Sequence, residues 1–217
     1  GARPLDPEAL AGAVRAHPDR LRAMMGVDPN KEDAAKSLER GVRELGLHGA
    51  LLCPFLHLLP ADDKAYRPIY KKCIELGVPV WIHTSTNWAQ AHPMELGRPL
   101  ALDRLCGEMP ELKVIAGHGG WPWVPEMVAA AWRHPNLYID PSGHRWKYLA
   151  TPNSGWEMLL HFGNSVLQNK VLFGTDWPLM SMSLAEIAAE ARALPLKPEV
   201  IEKWMGGNSA YLLGISS

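Results

Sequence analysis

Six short apolar runs punctuate this chain. Each ends in polar or turn residues, most are followed by a longer amphipathic stretch, and that alternation constrains the fold more than any other feature. The runs lie at 22–27, 49–53, 78–82, 113–116, 137–139 and 171–173. Helical periodicity follows at 32–45, where Leu38, Val42 and Leu45 share a face, and at 62–76; Gly46 and Gly77 stand where C-caps would close these helices. Further helices are predicted at 125–133, 184–194, 198–204 and 208–213. Thr151-Pro152-Asn153-Ser154-Gly155 marks a loop that delays the helix after the fifth run. Alternating strands and helices predict βαβ units on a parallel sheet, an α/β fold.

In such folds the ligand site lies just beyond the carboxyl ends of the strands, and the opposite ends serve stability. Here the reactive side chains collect at carboxyl ends: His57, His83, His118, Asp140, His144 and Asp176 all follow strands. A lone histidine ending an apolar strand is most simply a buried ring satisfied by a carbonyl, but several on one rim favour chemistry. His83 closes Val78-Pro79-Val80-Trp81-Ile82, and its neutral ring at that position suits a divalent metal. His118 lies among Gly117, Gly119 and Gly120, where the backbone turns sharply, a setting suited to holding or deprotonating a water. Asp176 directly follows the last run. Since the next helix starts only near Ser183, it reads as a metal carboxylate or general base rather than an N-cap.

Other candidates stay open. His57 and His144 either touch substrate or sit solvated on long loops. Asp140 is expected to organise its own turn through Pro141-Ser142-Gly143. Nine tryptophans include Trp88, Trp121, Trp123, Trp146 and Trp177 in or near loops after strands. Core packing accounts for many tryptophans, yet aromatic walls on that rim, above all Trp88, Trp121 and Trp177, would suit a flat substrate, and Arg98 or Arg145 could pair with its carboxylate. His17, His48, His92, His134 and His161 receive no role.

Composition narrows the partners. Lys and Arg total 22 against 23 for Asp and Glu, a formal charge of −1, so no basic face for nucleic acid or anionic lipid is expected, and a small-molecule substrate is the expected partner. Cys53, Cys73 and Cys106 are odd in number and widely spaced, which argues against a disulfide framework and for a reducing, cytoplasmic setting. No run approaches the ~20 apolar residues of a membrane helix.

The segments 77–84, 112–120, 136–142 and 171–178 together resemble the amidohydrolase-related family (amidohydrolase 2), which includes aminocarboxymuconate semialdehyde decarboxylase and γ-resorcylate decarboxylase. The resemblance runs on through Gly207-Asn208-Ser209-Ala210. It implies a (β/α)8 TIM barrel of metal-dependent hydrolase type holding a divalent metal, Zn2+ in first place with Mn2+ and Mg2+ as alternatives. The position of His83 is a ligand there, that of His118 handles the catalytic water or substrate, and that of Asp176 is a ligand or base. The family draws two further ligands from a His-x-His pair on its first strand, and this sequence contains no His-x-His.

Six strands where a closed barrel needs eight, and 217 residues where complete barrels run to ~250, lead to the expectation that residues 1–217 form a single (β/α)-barrel domain whose first two strands are missing from this sequence. If they are absent altogether, exposed strand edges would favour a homodimer or larger homo-oligomer. The activity expected first is metal-dependent hydrolysis of a small cyclic or carboxylate-bearing substrate. The alternatives are non-oxidative decarboxylation of an aromatic or enoic acid and a non-catalytic truncated barrel.

Overall fold

The computed structural model describes residues 5–215. Five strands form one parallel sheet in chain order: β1 (Met25–Gly26), β2 (Ala50–Leu52), β3 (Val80–His83), β4 (Val114–Gly117) and β5 (Leu137–Asp140). Five of the six predicted strands are present, most of them shorter at the start, because pairing and not apolarity sets their limits. The first, expected over 22–27, is only two residues long and pairs with β2 alone. The sixth, expected over 171–173, contributes a single parallel bridge, Ile139 to Val171. On its far side Phe173 N–H donates to the Trp204 carbonyl, so a helical segment takes the place of a neighbouring strand.

Between strands run α2 (Ala34–Arg43), α4 (Arg67–Leu76), α5 (Leu100–Glu108) and α6 (Val124–Arg133); α9 (Leu184–Arg192), α10 (Pro198–Glu202) and α11 (Asn208–Leu213) follow. Gly77 closes α4 in the left-handed conformation at φ +69°, as a C-cap glycine does. Ser183 and Glu186 form a reciprocal capping box on α9. The helix expected beyond the 151–155 loop is α8 (Glu157–Gly163), and sequence reading missed α1 (Pro7–Ala16), α5, and the short α3 (Pro54–His57) and α7 (Trp146–Leu149). Prolines and glycines around these segments mask their periodicity.

The pleat sends alternate side chains to opposite faces. Val80, Ile82, Val114, Ala116, Leu137 and Ile139 point to the helices and join the main core, where Leu38, Ile69, Tyr70, Cys73, Leu102 and Leu105 are fully buried. Truncating one of these leucines to alanine should cost about 2–5 kcal/mol. The opposite face carries a small cluster of Trp81, Ile115, Tyr138 and Leu172, closed by Leu212 of α11. Helices massed on one face of a parallel sheet, with a row of large side chains on the other, is the layering of a barrel wall and not of a doubly wound sheet. No described helix is long and apolar enough to cross a membrane.

Candidate active site

The ladder aligns three strand ends: His83 is in register with Gly117, and Gly117 with Asp140. One pleat earlier, Trp81, Ile115 and Tyr138 form the adjacent row on the same face. His83 therefore projects from the barrel-side face at the carboxyl end, directly above Trp81. It is only 4% exposed, and its ring packs against Phe55 at 4.6 Å and His118 at 4.7 Å between centroids. Its Nδ1 is buried with no hydrogen-bond partner. Burial, aided by the nearby His118, depresses the His83 pKa to about 3, so the ring is a neutral donor at ordinary pH.

His118 begins the turn after β4 in the left-handed region, at φ +66°, and Asp176 adopts φ +55°. Neither is glycine, and such conformations cost of order 1–3 kcal/mol, so the surrounding structure must enforce them. The His118 ring meets Trp81 edge-on at 5.3 Å, and its Nδ1 lies 2.9 Å from the Ser142 carbonyl oxygen and 3.2 Å from Ser142 Oγ. The Gly143 backbone borders both side chains: a Cβ there would meet His118 Nδ1 at 2.9 Å and Asp176 Oδ2 at 3.4 Å. Burial raises the Asp176 pKa, His118 opposes that shift, and the charge of Asp140 reinforces it. Asp176 does not cap α9, whose cap is Ser183.

His83, His118 and Asp176 thus gather at one end of the sheet, as their strand-end positions led us to expect. Surface grooves of about 440, 280 and 360 Å3 occur elsewhere, lined by Arg192 and Leu196, by His48 and Lys113, and by Leu149 and His161. None of the three candidates lines them.

The remaining candidates scatter. Trp88 is exposed and packs edge-on against Phe55 at 4.7 Å and His83 at 6.1 Å, so it flanks the cluster. Trp121 approaches His144 at 5.8 Å and donates to the Ser154 carbonyl. Burial and His118 depress the His144 pKa to about 4. Trp177 is exposed directly after Asp176. His57 is tethered to the buried Tyr66 hydroxyl at 2.9 Å. Two expectations fail. Trp146 is 1% exposed and donates to the Gly174 carbonyl, so it is a core wall and not a rim residue. Arg98 and Arg145 are committed to Glu126 and Glu190 through bonds of 3.0 Å, so neither turns inward to meet a carboxylate.

Asp140 does organise its turn: Ser142 N–H donates to Oδ1 and Ser142 Oγ to Oδ2, each at 2.9 Å. A third donor, Trp81 Nε1, reaches Oδ2 from β3 at 2.9 Å. The sequence assigns Ser142 to the Asp140 turn and gives Trp81 no place at the site. The contact of Ser142 with Asp140 is a local turn, whereas Trp81 reaches this carboxylate only across the sheet, from 59 positions away.

A buried, unpartnered imidazole nitrogen and a nearby half-buried carboxylate suit a divalent cation chemically. They fall short of closing a site: among the described residues no group of three His, Cys, Asp or Glu is placed to hold an ion.

Comparison with known proteins follows the same lines. The model of a family described as Amidohydrolase matches residues 4–215. A γ-resorcylate decarboxylase of Polaromonas sp. (strain JS666 / ATCC BAA-500) is 26% identical over 219 residues, covering 81% of this chain and 65% of its own. A 2-amino-3-carboxymuconate-6-semialdehyde decarboxylase of Dictyostelium discoideum is 24% identical over 231 residues, covering 95% and 64%. The chain therefore spans just under two thirds of these curated relatives. Among solved structures, an uncharacterized TIM-barrel protein of Bordetella bronchiseptica superposes with a TM-score of 0.85 at 30% identity, covering 97% of this chain and 72% of its own. A dihydroxybenzoic acid decarboxylase of Polaromonas sp. JS666, solved with manganese and 2-nitroresorcinol, superposes with a TM-score of 0.72 at 23% identity, covering 96% and 74%.

Proposed function

The chain belongs to the Amidohydrolase family, with the α/β fold of TIM-barrel type, and on that premise we propose that it serves a metal-dependent, non-oxidative decarboxylation of a small aromatic or enoic carboxylic acid. The observation that carries the reading is the convergence of His83, with its buried unpartnered Nδ1, on His118 and Asp176. Hydrolysis stood first from the sequence. The names of both curated relatives move support to decarboxylation.

In this reading His83 and Asp176 are donors to a divalent cation whose remaining donors lie outside this pair. When bound, the cation supplies a fixed positive charge that orients the acid. Manganese in the Polaromonas relative makes Mn2+ the first ion to test, with Zn2+ beside it. His118 handles the proton. The electron pair of the breaking bond to the carboxylate passes to the substrate carbon, that carbon takes a proton from the cationic, doubly protonated His118 ring, which is left neutral, CO2 leaves, and solvent restores the ring proton. Trp88 and Trp177 offer flat apolar surface beside the acid.

The test incubates the chain with Mn2+ or Zn2+ and a panel of dihydroxybenzoic acids and measures headspace CO2. Parallel assays use esters and lactones of similar size. CO2 release that disappears in His118→Ala supports the reading. Ester or lactone cleavage without CO2 restores hydrolysis, and a chain that retains no metal and turns over nothing points to a non-catalytic role.

A further inference from the structure

We propose that Asp140 is a positioning residue that fixes the tautomer of His118, holding its proton on Nδ1 and leaving Nε2 as the one ring nitrogen that exchanges a proton with substrate. The last clause rests on the proton-handling role given to His118 above; the tautomer assignment does not.

The argument is a count of protons. His118 Nδ1 has two neighbours in hydrogen-bond range, the Ser142 carbonyl oxygen and Ser142 Oγ. A carbonyl only accepts. A serine hydroxyl has one proton to give, and that of Ser142 is committed to Asp140 Oδ2, so toward His118 Oγ presents a lone pair. Both neighbours of Nδ1 are therefore acceptors, and Nδ1 must carry the proton. What makes Ser142 an acceptor is the Asp140 carboxylate, which has no proton of its own to offer.

The carboxylate is itself built in. Asp140 is 9% exposed and receives three donors, Trp81 Nε1, Ser142 N–H and Ser142 Oγ. Space for this arrangement comes from two glycines with no other evident task. A Cβ on Gly117 would fall inside 3.0 Å of the Trp81 indole, which lies across that strand to reach Asp140. A Cβ on Gly174 would fall inside 3.0 Å of Asp140 Oδ1. The Trp81 indole from β3 and Ser142 of the turn after β5 thus converge on one carboxylate, in room left by Gly117 and Gly174, and its effect on His118 passes through Ser142.

Asp140→Asn tests the assignment because it replaces one oxygen by a donor of nearly the same shape. Because Oδ2 accepts from Trp81 Nε1 as well as from Ser142 Oγ, the variant is made together with Trp81→Phe, so that the amide NH2 faces Ser142 Oγ without meeting the indole N–H; the hydroxyl then becomes the acceptor of that bond, and its proton is free to turn toward His118 Nδ1. The experiment is 15N NMR of the full chain labelled at histidine, at a pH where the ring is neutral, with the His118 signals assigned by their loss in His118→Asn. The parent should show His118 as the Nδ1–H tautomer alone. Asp140→Asn with Trp81→Phe should show a measurable Nε2–H population, and Trp81→Phe alone should not. Ser142→Ala, which keeps the carbonyl and removes the hydroxyl, should retain Nδ1–H. In the decarboxylation assay Asp140→Asn should lower kcat about 10–100-fold with KM little changed.

An Nε2–H tautomer in the parent overturns the proposal, a result that stands even if Asp140→Asn fails to fold. So does an unaltered tautomer in folded Asp140→Asn with Trp81→Phe. If the tautomers behave as stated but His118→Ala keeps full turnover, Asp140 still positions the ring and it is the proton-handling role that fails.

Discussion

Gly117→Ala is the sharpest test of how the end of the sheet is packed. The glycine has φ −67° and ψ 136°, a conformation open to any residue, so on backbone grounds alone alanine should stabilise by about 0.4–1 kcal/mol. Sterics reverse the sign. The new methyl would fall inside 3.0 Å of three atoms of the Trp81 ring system, and β4 cannot retreat because it is paired on both sides. Trp81 must then swing away. Overpacking of this kind costs about 1–3 kcal/mol, and loss of the indole hydrogen bond to the Asp140 carboxylate costs about 1.5–3 kcal/mol more. The net expectation is a loss of about 2–5 kcal/mol, measured by urea denaturation of parent and variant with matched m-values. A double-mutant cycle isolates the cause. In a Trp81→Leu background, where ring and bond are already gone, only the backbone gain remains and Gly117→Ala should stabilise by about 0.4–1 kcal/mol. An equal penalty in both backgrounds, or none in the parent, refutes the picture of an indole laid across this glycine.

Three further outcomes follow from the site and its supports. His83→Ala should lower both metal content and turnover, whereas His118→Ala should remove most turnover and spare metal content; element analysis showing equal metal loss would make His118 a ligand. Glu190 has its pKa lowered first by its bond to Arg145, so it contributes stability above the ordinary carboxylate range that disappears as pH falls through the depressed folded value; acid titration of unfolding should be flatter in Glu190→Gln, and coincident curves would contradict the pairing. Trp88 and Trp177 should report planar anions: intrinsic fluorescence of metal-loaded chain should respond to small aromatic acids and not to their neutral analogues, and identical responses would remove the case for a carboxylate substrate.

Local physics made much of this chain legible. A run of β-formers ending in His83, a glycine-flanked His118 and an Asp176 too far from Ser183 to cap its helix are recorded within a few residues of each position, so the parallel order of strands and the gathering of three reactive groups at their carboxyl ends could be read before any coordinates. Strand lengths could not, because a strand lasts only as long as its partners do. Phe173 turns its N–H to Trp204, 31 residues onward, and the sixth strand shrinks to one bridge. The same distance in sequence hid the partners of the charged groups. Arg98 finds Glu126 and Arg145 finds Glu190, which takes both from the substrate, and burial takes Trp146 from the rim. Asp140 shows the division within one residue: its bonds to Ser142, two positions away, follow from an ordinary Asp-turn tendency, whereas its bond to Trp81, 59 positions away, exists only because parallel pairing sets β3 and β5 on either side of a glycine that leaves room for an indole between them.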